Sequence, residues 1–401
     1  MSITRHITLP AGFAAAGVAC GIKQSGKKDL AIIAAERDAA AAVLTTQNQV
    51  VGAPVLWCRK LLPRGYGRVR GIVVNSGCSN ACTGKAGLKD AGAMARQTAQ
   101  QLGCDTEKVL VASTGVIGHR LEMAKVRAGI DAAAKQLGTK KDSAVLNAIM
   151  TTDTRQKHAV VRVNIGGKNI AIAGIVKGSG MVAPSMATMI AIITTDAAVA
   201  PAALHKALTA AATASFNTIT IDSDTSTSDT VVVLASGAAG NKNITHRTAS
   251  YQKFAVALAE LCRRLACAVV ADGEGANKLV EITVRGARNA SEAVAAAKSV
   301  ANSPLLKCAI HGGDPNWGRI VMALGKSAAK VVPEKLSVKI GGTTVFAGGR
   351  GQKFNLKKVA KYMAGKKINI LCDLRLGKGC FTALTCDLSR RYVTINADYH
   401  T

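Results

Sequence analysis

The sequence predicts a mixed α/β protein, and three observations lead there. Short β-branched runs alternate with stretches of helical period. Hydrophobic residues make up 48% and charged residues 19%, a globular rather than a disordered composition. Aromatic residues are only 3%, so the core must be built from Ala, Val, Ile and Leu, with Gly at close approaches. The 401 residues suffice for two or three domains. The order of the runs is not a regular strand–helix repeat, which disfavours a simple doubly wound sheet.

The elements follow in chain order. Residues 71–75 (GIVVN) read as a strand, then 88–102 (LKDAGAMARQTAQQL) as a helix rich in good helix formers. Residues 109–112 form the next strand and 123–137 the next helix. The runs 160–165 and 190–195 are strands, 201–214 an Ala-rich helix starting at Pro201, and 218–222 and 230–235 strands rich in Thr, Ile and Val. A long helix covers 251–270, a strand 280–284 and a helix 291–302, with Asn289 and Ser291 as cap residues ahead of its Ala-rich run. Near residue 280 strands and helices start afresh. The expected division is therefore 1–279 and 280–401, the second part being a smaller α/β domain.

The bulk numbers exclude several classes. No apolar run reaches the roughly 18 residues of a membrane helix. Ala11–Cys20 (AGFAAAGVAC) lacks a basic stretch before it, so it does not read as a secretory signal. The expectation is a soluble cytoplasmic protein. The eleven cysteines include no CxxC pair and no accompanying histidine cluster, so neither a metal site nor a disulfide framework is expected, and the thiols should be reduced and buried. The formal net charge of +28 admits a basic nucleic-acid-binding protein as an alternative. The basic residues are scattered, however, and no exposed aromatics alternate with them; a solvated basic surface and no nucleic-acid or membrane partner are expected.

The chemistry concentrates in a few segments. Residues 177–196 (KGSGMVAPSMATMIAIITTD) pass from a Gly-rich approach through the small Ala187 to Thr188 and into an apolar run. Small residues leave the Ala187 carbonyl open, and a stiff run after Thr188 can hold its hydroxyl. Threonine becomes a useful nucleophile only beside a base, and a threonine at a new N-terminus carries one in its own α-amine, with a pKa of about 8. A Gly-rich turn entering a buried strand is the plain structural alternative. Residues 111–118 (VASTGVIG) put Thr114 and Gly115 at a strand end, where backbone N–H groups can meet a developing oxyanion; an ordinary strand-to-helix turn is the alternative. Residues 75–84 (NSGCSNACTG) form a polar loop before a helix. Residues 222–230 (DSDTSTSDT) lack the central Gly and distal Glu of a calcium loop and read as a hydrogen-bonded turn. Residues 272–275 (DGEG) place Glu274 where a cationic substrate could be met. In 311–319 (HGGDPNWGR) His311 reads as structural.

Together these segments resemble the glutamate N-acetyltransferase/ornithine acetyltransferase family. The likeness runs from GFAAAGVACGIKQSGKKDLA to the terminal YVTINADYHT, with KGSGMVAPSMATM, FNTITIDSDTSTSDT, DGEGANK and GGDPNWGR in the family's order. It implies a layered N-terminal-nucleophile-like catalytic core with a smaller C-terminal α/β domain. It also implies self-cleavage at Ala187–Thr188, giving an α chain of residues 1–187 and a β chain from 188 that assemble as α2β2. Thr188 would then carry acetyl from N-acetylornithine to glutamate, with Thr114 and Gly115 as the oxyanion hole. Thr151, Lys177, Thr188, Glu274, Asn396 and Thr401 would bind substrate, Lys177 pairing a carboxylate and Glu274 an ammonium. Thr401 can serve only with the C-terminus tied down. No cofactor and no metal are implied, with acetyl-CoA an optional co-substrate for a second, glutamate-acetylating activity. A related self-processing aminopeptidase, releasing its acyl group to water, is the enzymatic alternative. The chain departs from the family at Cys78 and Ser79, where Asn and Ala are expected, at Ser223 for Gly and at Asn277 for Thr.

Overall fold

The computed structural model describes residues 5–183 and 189–398. Among them the chain divides into two compact units, one of residues up to 217 with 225–269, the other of 218–224 with 270 onward. The expectation placed the division after residue 279.

The first unit contains β1 (Phe13–Val18), β2 (Leu30–Thr45), α1 (Ala53–Leu61), β3 (Tyr66–Cys78), α2 (Gly84–Leu102), β4 (Val109–Val116), α3 (Met123–Ala134), α4 (Asp142–Ile149), β5 (Lys157–Ile165), β6 (Lys168–Lys177), β7 (Ile190–Thr195), α5 (Pro201–Thr213), β8 (Thr230–Ala235) and most of α6 (Ser250–Ala271). Its strands form one sheet in the order β4-β3-β2-β8-β7-β6-β5, with β1 paired to β2. β3–β4 and β7–β8 are parallel and the other pairs antiparallel.

Both faces of this sheet are covered, which is why its strands read as continuous apolar runs. Alternate residues enter different cores. Ile33, Ile72, Val74 and Leu110 pack with α4 (Val145, Leu146, Ile149), whereas Ile32, Val73, Val109 and Val111 pack with α2 (Met94, Ala95) and α3 (Val126, Ile130). The mixed, layered α/β architecture expected from sequence is present. The near absence of aromatics has a structural counterpart in small residues at layer contacts. A Cβ on Gly17 would lie 2.2 Å from the Ala144 carbonyl oxygen, so only glycine lets α4 lie this close to β1.

The second unit contains β9 (Leu279–Ala287), α7 (Ala290–Ala301), α8 (Pro304–Gly312), α9 (Trp317–Gly325), β10 (Ser337–Ile340), β11 (Thr343–Ala347), β12 (Arg350–Gly351), α10 (Leu356–Met363), β13 (Lys367–Asp373), β14 (Gly379–Cys386) and α11 (Arg390–Asp398). Its sheet runs β12-β11-β10-β13-β9-β14. Val280, Ile282, Val284, Ala293, Ala297, Val338 and Ile370 belong to its core. Asn289 caps α7 as expected, its side chain accepting from Glu292 N.

Two expectations need correction. Residues 218–222 are not a strand; a 3-10 turn covers Phe216–Thr218 and Ile219 makes an isolated bridge to Leu384. The side chains there compete for partners: Thr220 Oγ1 donates to Asn302 Oδ1 (2.6 Å) and Asp222 Oδ1 accepts from Asp224 N (3.3 Å). The cysteines are free thiols, but Cys82, Cys308 and Cys380 are exposed rather than buried. Among the described residues no group of His, Cys, Asp and Glu is arranged to hold a metal, and no helix is long and apolar enough to cross a membrane.

Candidate active site

β3 and β4 run parallel to a shared end at which Gly77 sits opposite Gly115, with the register shifting at Gly77/Cys78. Gly115 has φ +126°, and a Cβ there would lie 2.3 Å from the Gly77 carbonyl carbon. No other residue fits, because both the backbone angle and the space demand glycine. The loop after β3 is pinned to this end. Ser113 Oγ donates to Asn75 Oδ1 (2.6 Å), Asn75 Nδ2 donates to the Cys78 carbonyl (2.8 Å), and Ser79 Oγ donates to the Val116 carbonyl (2.7 Å). The expected oxyanion residues Thr114 and Gly115 thus lie on a strand end to which the polar segment at the end of β3 is pinned.

β6 brings Lys177 to the same place. Its side chain is 9% exposed, and Nζ donates to Thr114 Oγ1 at 3.0 Å. Lys177 pairs across the sheet with Ile190, the first residue of β7, two positions beyond Thr188. Ala187 and Thr188, the expected cleavage site and nucleophile, lie outside the described residues, as does Thr401. The chain on either side of 184–188 is anchored to one loop: Thr225 Oγ1 donates to the Ala183 carbonyl (2.8 Å) and Thr230 N donates to the Met189 carbonyl (2.9 Å). Thr225 and Thr230 of the polar segment therefore anchor Ala183 and Met189.

Thr151 joins this group through Asp153. The Asp153 carboxylate is fully buried and accepts from Thr151 N (2.9 Å), Gly178 N (2.7 Å) and Lys157 Nζ (2.6 Å). Burial alone would push this carboxyl up, but Lys157, Lys177 and the Gly178 N–H outweigh it and hold its pKa at about 2. Lys23 approaches from the loop before β2. Its Nζ donates to the Met150 carbonyl (2.7 Å) and the Lys28 carbonyl (2.8 Å), and its stem lies against Gly77, where a Cβ would be 3.1 Å from Lys23 Cγ. Burial, opposed by Asp29 and assisted by the like charge of Lys177, lowers the Lys23 pKa to about 8. Asp29 in turn accepts from the backbone N–H groups of Cys20, Ile22 and Lys23.

In the second unit Glu274, 6% exposed, accepts from Asn396 Nδ2 on α11 at 2.8 Å, so two further expected substrate residues are in contact. The loop is tied to the C-terminal segment. Ser389 Oγ donates to the Gly275 carbonyl (2.7 Å), and Asp387 accepts from Asn277 N and Lys278 N (each 2.8 Å) and contacts His311 Nδ1 at 2.8 Å. His311 thus sits in a structural pair. Tyr392 OH donates to Asp222 Oδ2 (3.4 Å), and burial together with Asp222 and Glu274 pushes its hydroxyl pKa up.

Sequence reasoning assembled Thr114, Gly115 and Lys177 in the first unit and Glu274 with Asn396 in the second. It missed Lys23, Asp153 and Lys157. The signal for two of them was present in residues 151–157 (TTDTRQK), where an acid and a base stand four apart beside the expected Thr151.

The ArgJ family's profile matches residues 14–401. The arginine biosynthesis bifunctional protein ArgJ of Geobacillus kaustophilus is 44% identical over 395 residues, 98% of this chain and 96% of the relative. That of Bacillus subtilis is 42% identical over 401 residues, 100% of this chain and 98% of the relative. The crystal structure of the arginine biosynthesis bifunctional protein from Bacillus halodurans matches with a TM-score of 0.50 at 40% identity, over 51% of this chain and 97% of that one. A full-length match at this identity leaves one conclusion: the chain belongs to the ArgJ family.

Proposed function

We propose that the protein is an ornithine acetyltransferase that moves acetyl from N2-acetyl-L-ornithine to L-glutamate through an acetyl ester on Thr188. The full-length likeness to bifunctional enzymes of arginine biosynthesis carries this reading, and the contact between Lys177 and Thr114 at a glycine-only strand end supports it. The chain first cuts itself: Thr188 Oγ attacks the Ala187 carbonyl, the acyl group moves from nitrogen to oxygen and so frees the Thr188 amine, and water then hydrolyses the ester to release the Ala187 carboxylate and restore the Thr188 hydroxyl. That amine is then the base. Thr188 Oγ attacks the acetyl carbonyl of N-acetylornithine, and its proton passes to the amine and on to the departing nitrogen of ornithine. Backbone N–H groups at Thr114 and Gly115 hold the oxyanion of the tetrahedral intermediate. Glutamate's amine attacks the ester in the reverse sense and leaves as N-acetylglutamate.

Lys177 serves a carboxylate and Glu274 an ammonium, and Thr151, Asn396 and Thr401 are the other binding groups that the family resemblance implies. The two chains remain together as α2β2 in the cytoplasm and need no cofactor, since the acetyl group rests on the protein. The Bacillus halodurans chain, nearly all of which aligns with half of this sequence, is in keeping with a two-chain protein. Acetyl-CoA serves as a second donor to glutamate, and an assay with those two alone tests that activity.

The experiment that tests the central reading uses N-acetylornithine without an acceptor. Ornithine should appear in a burst of about one equivalent per site and then nearly stop, with acetyl found by mass spectrometry on the chain that begins at Thr188. Steady release without glutamate would mean that water is the acceptor and that the aminopeptidase-like alternative is correct.

A further inference from the structure

Asp153 stands at the junction of three separate pieces of the first unit's site. Oδ1 accepts from Gly178 N, the residue after Lys177, and from Lys157 Nζ; Oδ2 accepts from Thr151 N. The carboxylate and the Lys157 ammonium are both buried, with side-chain exposures of 0% and 1%. A buried carboxylate with this many donors is held in one orientation, since any rotation leaves a donor without its acceptor.

The charges around it are unequal. Lys157, Lys177 and Lys23 all act electrostatically on or beside this carboxylate, and Asp29 is the other acid facing Lys23. Among the described residues, three ammonium groups thus act on the Asp153 carboxylate, and one of them also faces Asp29. Asp29 is largely occupied by backbone N–H groups. Asp153 is therefore an opposite charge acting on Lys177, whose Nζ faces Thr114.

We infer that Asp153 is a positioning residue for acetyl transfer, fixing the Thr151 and Gly178 backbones and setting an opposite charge beside the Lys177 ammonium; this rests on the acetyl-transfer reading above. It does not touch the reacting atoms and takes up no proton in the cycle. Lys157 competes with Lys177 for it. The two neighbours of the carboxylate consequently act on the site in opposite directions.

The test is the pH profile of kcat/KM for N-acetylornithine, measured on full-length self-processed enzyme. In Asp153→Asn the alkaline limb should move to lower pH by about one unit or more, because the site's ammonium groups lose an opposite charge at close range. The double variant Asp153→Asn with Lys157→Met should have its limb at lower pH than Lys157→Met alone, and it leaves no unpaired member of the buried pair should the single variant fold poorly. Lys157→Met alone should move the limb upward, since one like charge is gone and the carboxylate is left to Lys177 and Lys23. A merely structural carboxylate would lower the amount of active enzyme without this opposed displacement. An unmoved limb in the folded single variants, a double variant whose limb coincides with that of Lys157→Met, or displacement in the same direction for Asp153→Asn and Lys157→Met overturns the inference. Wild-type enzyme in the same assay separates the two claims: if it transfers no acetyl the functional reading fails, and if it does while the limbs stay put only the role of Asp153 fails.

Discussion

At the residue scale the chemistry narrows to a hydroxyl, a cation and a glycine. Thr188→Ala should abolish both self-cleavage and transfer, read on a denaturing gel and by ornithine release. Thr188→Ser should retain part of each, because the hydroxyl survives while the methyl that restricts its rotamer is lost. An intact chain with full activity would remove the free Thr188 amine as the base. Ser223 supplies a different kind of residue-level prediction. It stands where the family resemblance leads one to expect glycine, and its φ is +72°, in the left-handed region that a side chain occupies at a cost. Ser223→Gly should therefore raise stability, by about 1 kcal/mol from the backbone relief alone, seen as a higher melting temperature. No rise would mean that hydrogen bonding of the serine offsets the strain.

At the element scale, the proposed oxyanion site depends on the paired ends of β3 and β4. Gly115→Ala puts a Cβ into the Gly77 backbone, so the strands must part and the 114–115 amides must move. Turnover should fall by about 10²–10³, as when one oxyanion donor is lost, with the melting temperature monitored alongside. Normal transfer in this variant would take the strand end out of the mechanism. A second element-level effect concerns acid stability. His6 stacks on His158 with ring centroids 4.4 Å apart, near Asp142. Burial, only partly offset by Asp142, lowers its pKa to about 4 from 6.5. Between these values the unfolded chain binds more protons than the folded one, so stability rises with pH there and falls on acidification from about pH 6.5 to 4. Asp153 adds a loss in the same direction at lower pH, between 3.8 and about 2. His6→Gln should flatten the upper part of a melting-temperature profile and leave the lower part. An unchanged slope between pH 6.5 and 4 would assign the acid sensitivity elsewhere.

At the scale of the whole molecule, the purified protein should separate under denaturing conditions into one chain ending at Ala187 and another starting at Thr188. With both substrates varied, double-reciprocal plots should be parallel, as a double displacement requires. The charge of +28 adds a separate expectation. If it is a solvated surface without a polyanionic partner, binding to nonspecific duplex should be weak at about 0.15 M salt, where exposed charges further apart than roughly 8 Å are screened. Tight duplex binding with a steep salt dependence and no acetyl transfer would favour the basic binding-protein alternative.

Much of this was legible in the chain. The apolar runs at 71–75, 109–112, 190–195 and 230–235 declared strands buried on both faces, because such strands need no alternation. β2 was not legible: LAIIAAERDAAAAVLT is rich in alanine, a helix former, and only packing against neighbours on both sides makes it a strand. The segments around Thr114, Lys177 and Glu274 were marked by small and polar residues that plain structure does not call for. Sequence by itself therefore determined the family and marked the candidate nucleophile and binding groups, since those depend on residue identity in a fixed order. Tertiary structure alone decided which of them touch. The contact of Lys177 with Thr114 spans 63 positions and that of Asn396 with Glu274 spans 122. The acid–base spacing of Asp153 and Lys157 stands in the sequence, but only folding removes the water around the pair, so that Coulomb forces which water would screen act at close range.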